Sequence, residues 1–159
     1  MTPRPQTPSQ TIGPFFHVAI TSAGPVTVGA GDGPLLHGRV IDGAGVAVGD
    51  SLVEVWDGTH FGRCHTDAEG WYSFQLPAPS TPSSDQAPYL AVSVFARGLL
   101  GRLMTRCYLP ANEAAQTADP LLRSLPDDLK ATLLAEADSD TLRFDIHLQG
   151  EHETVFLAV

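Results

Sequence analysis

The chain has 159 residues, 43% of them apolar, and carries 9 basic against 18 acidic residues for a net charge of −9. This length suits a single domain that buries its core without staples, and the acidic balance argues against nucleic acid or an anionic membrane surface as a partner. No apolar run is long enough to span a bilayer.

Met1 leads into the proline-rich TPRPQTPSQ and not into an apolar leader, so a cytoplasmic location is expected. Residues 1–34 are rich in Pro, Gly, Ser and Thr and read as an extended N-terminal arm of the same domain, with residues 35–159 as its β-sandwich. Within the arm, Phe15-Phe16 is too apolar for free solvent and predicts docking on another surface. Gly13-Pro14 would bring the backbone close to that surface while fixing its direction.

Strands are predicted over residues 35–42, 53–56, 61–66 and 71–76, the last two flanking the hairpin turn Asp67-Ala68-Glu69-Gly70. Cys64 and Cys107 do not make a disulfide framework and read as core thiols of a reducing compartment. A surface loop, PAPSTPSSDQA, precedes a strand pair in APYLAVSVFARGLLGRLMTRCYLP. In the first of these strands Leu90, Val92, Val94 and Ala96 share one face, and Tyr89, Ala91, Ser93, Phe95 and Arg97 the other. Arg97 ends the strand beside Gly98. It reads either as a solvated strand-end cation or as a cation held at a pocket rim. Residues 111–138 switch to helical composition. Asp119-Pro120 and Pro126-Asp127-Asp128 mark helix starts, and Leu129, Leu133 and Leu134 recur at helical spacing. Strands over 141–149 and 153–159 close the chain. About eight short strands therefore predict an all-β fold, a two-sheet β-sandwich with a short helical insert and an extended N-terminal arm.

Five segments in order carry a resemblance. They are TPSQTIGPFFH, HGRVIDGAGVAVGDSLVEVWD, FGRCHTDAEGWYSFQL, the FARGLL-containing strand pair, and RFDIHLQGEHETVF. Together they resemble the intradiol ring-cleaving dioxygenases, and within them the chains that pair with a homologous iron-binding beta subunit. The resemblance implies a complex in which the beta subunit holds Fe(3+) with two tyrosinates and two histidines. That complex would open protocatechuate with O2 to 3-carboxy-cis,cis-muconate, a step of the β-ketoadipate pathway of aromatic catabolism. Hard phenolate oxygens suit the trivalent ion.

The same resemblance implies that this chain holds no metal. The iron-binding chains place a His-x-His on one strand, so that both rings face one side. The matching positions here are Tyr89 and Ala91, and alanine ligates nothing. The segments matching the tyrosinate positions are the short Asp57-Gly58-Thr59-His60 and the tyrosine-free PAPSTPSSDQ. Tyr72 and Tyr108 fall within strands. The pairs His60 with His65 and His147 with His152 are spaced so that a regular strand would point their rings to opposite faces.

What the resemblance implies for this chain is a wall of the shared pocket built from Arg97, Thr11, Gly13, Pro14 and Phe15. A guanidinium offers a charge-assisted, often bidentate partner to the substrate carboxylate. Phe15 stands where Tyr is usual in the family and keeps only the apolar contact. Tyr89 stands where His is usual, and the chain is short around 29–34 and 57–61. Interface packing alone is the plainer reading, with Phe15, Phe16, Phe95 and Tyr108 facing the partner. Two alternatives compete with the subunit reading. One is a stand-alone β-sandwich module that binds a small ligand, and the other is an autonomous dioxygenase with a degenerate iron site.

Overall fold

Alternation of apolar and polar residues along each strand decides which face is buried, and the strands stack those faces into two sheets. The computed structural model describes residues 6–13, 15, 24–78, 86–110 and 113–158. Among the described residues the strands are β1 (Val26–Thr27), β2 (Leu35–Ile41), β3 (Leu52–Trp56), β4 (Phe61–His65) and β5 (Trp71–Gln75). They continue as β6 (Tyr89–Phe95), β7 (Leu103–Tyr108), β8 (Glu136–Asp138), β9 (Thr141–Arg143) and β10 (Ile146–His147). One sheet runs β1-β5-β2-β9-β8, with β10 also on β2, and the other runs β4-β3-β6-β7.

The two inner faces form one core. Leu36, Val40 and Phe74 from the first sheet meet Val53, Val55, Val92 and Val94 from the second, all 0–1% exposed. Fully burying side chains of this kind contributes about 1.5–3 kcal/mol each before the entropy cost of ordering them. Leu90, Val92, Val94 and Ala96 share the buried face, as their spacing predicts. Gly38 interrupts the apolar file of β2, and the Tyr72 hydroxyl crosses there to donate to the Phe144 carbonyl.

The helical insert consists of α1 (Glu113–Ala118), α2 (Pro120–Ser124) and α3 (Asp127–Ala131). Asp119 caps α2 by accepting from the amides of Leu121 and Leu122 at 2.9 and 3.2 Å, with Pro120 at the first helical position. Leu122 and Leu133 close over Ala87 and Tyr108 in a second, smaller core.

Several predicted boundaries move. Leu133 and Leu134 lie beyond α3 and not on it. The amide of Tyr108 donates to the Leu133 carbonyl and that of Ala135 to the Tyr108 carbonyl, so the chain is captured by the end of β7 after one helical turn. The predicted strand over 141–149 is split into β9 and β10. Between them the Asp145 carboxylate replaces a ladder carbonyl in accepting the Arg39 amide, at 2.9 Å. Residues 153–158 are extended without forming a strand. They are held by isolated bonds such as Leu157 N–H to the Met104 carbonyl at 2.7 Å. Val26–Thr27 pairs in parallel with Phe74 and Gln75, and Val28 is fully buried. The end of the expected arm is therefore a piece of the sandwich. β1 and β8 were not predicted, because two or three residues are too few to show a period.

Candidate functional site

Arg97 lies two residues beyond β6, just past the end of the β3–β6 ladder. That ladder pairs Leu52 with Phe95 and Trp56 with Ala91, and two residues further out its register sets Asp50 opposite Arg97. The side chains meet as an ion pair through Arg97 Nε and Asp50 Oδ2. The Arg97 side chain is 60% exposed and that of Asp50 only 19%. Next in the chain, Gly98 adopts φ +91°, which favours glycine, and donates its amide to Thr11 Oγ1 at 2.8 Å. Thr11 and Arg97, 86 positions apart in the sequence, thus share one corner.

The other predicted wall and interface residues divide. Gly13 is exposed, with open space where a side chain would stand. Phe15 is 80% exposed. Pro14 and Phe16 lie outside the described residues. Phe95 is half-buried on the outer face of β6. Tyr108 requires a correction: it is fully buried within this chain and is not available as an interface residue. Its hydroxyl donates to Asp119 Oδ1 at 3.1 Å and accepts from Arg106 at 3.1 Å, and its ring packs on Tyr89.

The donors among the described residues do not fit ferric iron. Tyr89 carries the Arg106 guanidinium 4.1 Å above its ring, and a cation on that face opposes a second one. Tyr72 is enclosed, gives its proton to the Phe144 carbonyl, and is held well above the usual phenol range by burial. Burial likewise raises Tyr108 to about 12, and its hydroxyl is enclosed between Asp119 and Arg106, so neither phenol oxygen is open to an incoming ion. His60 meets Asp57 through Nδ1 at 2.9 Å, and no third metal-ligating side chain gathers with the pair among the described residues. His147 and His152 depart from the strand expectation. A turn at Gly150, with the Thr154 amide donating to the His147 carbonyl, brings their rings to 6.2 Å. They border an open groove of about 480 Å³ with Arg143, Asp145, Asp128 and Glu136. Among the described residues no group of three or more His, Cys, Asp or Glu could hold a metal ion.

No family model matches the chain. It is 34% identical to the protocatechuate 3,4-dioxygenase alpha chain of Burkholderia cepacia, over 100% of both chains, and 35% identical to that of Pseudomonas putida over 96% of both. This chain belongs to the protocatechuate 3,4-dioxygenase alpha chains, within the intradiol dioxygenases. It is also 26% identical to the beta chain of Burkholderia cepacia, over 92% of this chain and 77% of that one. The fold agrees. The dioxygenase domain of a carbohydrate-binding fusion from Streptomyces sp. SirexAA-E superposes with a TM-score of 0.57 over 92% of both chains, at 20% identity. Hydroxyquinol 1,2-dioxygenase from Pseudomonas putida DLL-E4 gives 0.59, at 17% identity, over 89% of this chain and 65% of that one. Membership of the family implies a non-haem iron in the working enzyme. None of the helices is long and apolar enough to cross a membrane among the described residues.

For an alpha chain, the residue that sequence reasoning missed is Asp50. Gly49-Asp50-Ser51 reads as an ordinary turn, and the signal that could have found it is the register between two strands some 40 residues apart in the sequence.

Proposed function

We propose that this chain is the non-iron-binding subunit of a hetero-oligomeric protocatechuate 3,4-dioxygenase and completes a site whose iron is held by a homologous beta subunit. The observation that carries the reading is the full-length likeness to two alpha chains. The poor fit of this chain's own phenols and imidazoles to ferric iron is consistent with it. In the reaction both atoms of O2 enter at the bond between the two hydroxyl-bearing carbons, and the ring opens to 3-carboxy-cis,cis-muconate. Iron in the partner supplies the chemistry with O2, and this chain's share is binding.

Arg97 is the candidate for the substrate carboxylate. Its guanidinium is exposed in the lone chain, as a group awaiting a partner surface must be. Thr11, Gly13, Pro14 and Phe15 belong on this reading to the arm that closes over the same cavity. The bond from Gly98 to Thr11 ties that arm to the Arg97 corner. Phe15, Phe16 and Phe95 are the proposed apolar contacts with the partner, with the residues before β1 as a docking arm that belongs to the same domain as the sandwich.

The reading is tested by co-expressing the chain with a beta chain and following co-purification, iron content and oxygen uptake on protocatechuate. Uptake should need both chains, with iron tracking the beta chain. Iron in this chain alone, or elution without the partner, would overturn it. In the complex, Arg97→Ala should raise KM for protocatechuate about 5- to 30-fold, the equivalent of about 1–2 kcal/mol for a charge-assisted bond at a partly exposed site.

A further inference from the structure

We infer that Asp50 is a positioning residue for Arg97, presenting the free end of its guanidinium to an anionic ligand. The inference rests on the proposed role of Arg97 in the shared site. Three observations carry it. The β3–β6 register, extended two residues past its last pair of Leu52 with Phe95, sets Asp50 across from Arg97 on the same face of the sheet as that pair. Cross-strand neighbours of opposite charge attract in that geometry. Asp50 Oδ2 is buried and, among the described residues, has no hydrogen-bond partner, and the Arg97 guanidinium meets it as an ion pair. The contact between the two side chains is recorded at Nε, on the inner side of the guanidinium fork.

A guanidinium is a rigid planar fork of five N–H donors. Fixing it at Nε sets the direction of the remaining donors without occupying them. Two-oxygen recognition of a carboxylate then remains available at the terminal edge. The backbone is held from the other side, because Thr11 Oγ1 accepts from Gly98, the residue after Arg97. Arg97 would otherwise be a long, freely rotating side chain at the end of a strand. Asp50 also carries a negative charge that repels the ligand, so its net benefit comes from orientation and not from field. The neutral acceptor asparagine should therefore preserve most of the effect.

The test uses the complex of this chain with its beta partner, protocatechuate as the charged probe and catechol as the probe without a carboxylate. Ordering one such side chain corresponds to about a 2- to 13-fold change in binding. Asp50→Ala should raise KM for protocatechuate within that range while leaving kcat, and KM for catechol, within about twofold. Asp50→Asn, which keeps an acceptor oxygen facing Nε, should restore KM to within about twofold of the unsubstituted complex. If Asp50→Ala does not assemble, Asp50→Glu keeps the charge but displaces it by one methylene, and a raised KM for protocatechuate alone is again the supporting result. An unchanged KM in Asp50→Ala, or in Asp50→Glu where that stands in for it, beside a raised KM in Arg97→Ala, overturns the role of Asp50 and leaves that of Arg97 standing. An equal rise for both probes marks general damage and also overturns it. An unchanged KM in Arg97→Ala itself removes the reading on which the inference rests.

Discussion

Gly38→Ala should destabilise this sandwich from its centre. An added Cβ would stand 1.8 Å from the Phe144 carbonyl oxygen and 2.9 Å from the Tyr72 hydroxyl. The first neighbour is backbone and cannot rotate away. It is also fixed on both sides, by the Phe144 amide donating to the His37 carbonyl at 2.9 Å and by the Arg39 amide donating to Asp145 at 2.9 Å. Relief therefore requires β2 and the β9–β10 segment to part. Forced overpacking costs about 1–3 kcal/mol. Breaking the bond from Tyr72 to Phe144 in a buried site adds about 1–3 kcal/mol. A total of roughly 4 kcal/mol corresponds to a loss of about 8–16 °C in melting temperature for a chain of this size. Tyr72→Phe removes the hydroxyl alone and should cost about 1–3 kcal/mol. In the Tyr72→Phe background the added methyl should cost less than in the native one, because part of the damage is already done. Urea unfolding followed by the fluorescence of Trp56 and Trp71, with calorimetric melts in parallel, measures all four corners of the cycle. A Gly38→Ala variant within about 1 kcal/mol of the native protein would refute the argument that backbone approach requires this glycine.

Asp119→Ala should cost roughly 3 kcal/mol, because the fully buried carboxylate caps α2 and accepts from Tyr108 and the Ala87 amide as well. Calorimetry gives the size, and faster proteolysis within residues 113–131 shows where the fold opens. Asp57 should make the protein acid-sensitive. Burial pushes its carboxyl up, but hydrogen bonds from His60 and Thr59 and the His60 charge outweigh that and hold it below 3.8. A carboxyl whose folded pKa is depressed contributes stability that is present above its unfolded value and lost as pH falls through the folded one. The loss therefore belongs below about pH 4 and should shrink in Asp57→Asn, as denaturation midpoints against pH will record. Cys64 and Cys107 are free and buried, and burial raises both thiols. A thiol reagent should leave the folded protein unlabelled near neutral pH and label both cysteines in denaturant. Labelling of the folded chain would contradict that placement.

Elements whose signal is local were legible in the sequence. The alternation of Leu90, Val92, Val94 and Ala96 assigned the buried face of β6, and Asp119-Pro120 marked the start of α2 through capping chemistry that acts within one turn. The motifs of the arm and of FARGLL pointed to Thr11 and Arg97 as candidates for one site. What the tertiary structure decided depends on contacts between distant segments. Leu133 leaves its helical period because the end of β7 offers its backbone hydrogen bonds, which no local propensity encodes. The two-residue β1 becomes a strand only because β5 has an open edge. Tyr108 is closed over by α2 and Leu133, a packing outcome invisible in a strand that reads equally well as an interface. His147 and His152 meet because a turn intervenes, against the period of a regular strand. Asp50 gains its meaning from register alone, since the pairing of β3 with β6 sets one carboxylate among 18 acidic residues across from Arg97. Local periodicity and capping act over a few residues and so are written in the sequence. Strand register and edge pairing are settled by which distant surfaces fit together, and the corner around Arg97 exists only once they do.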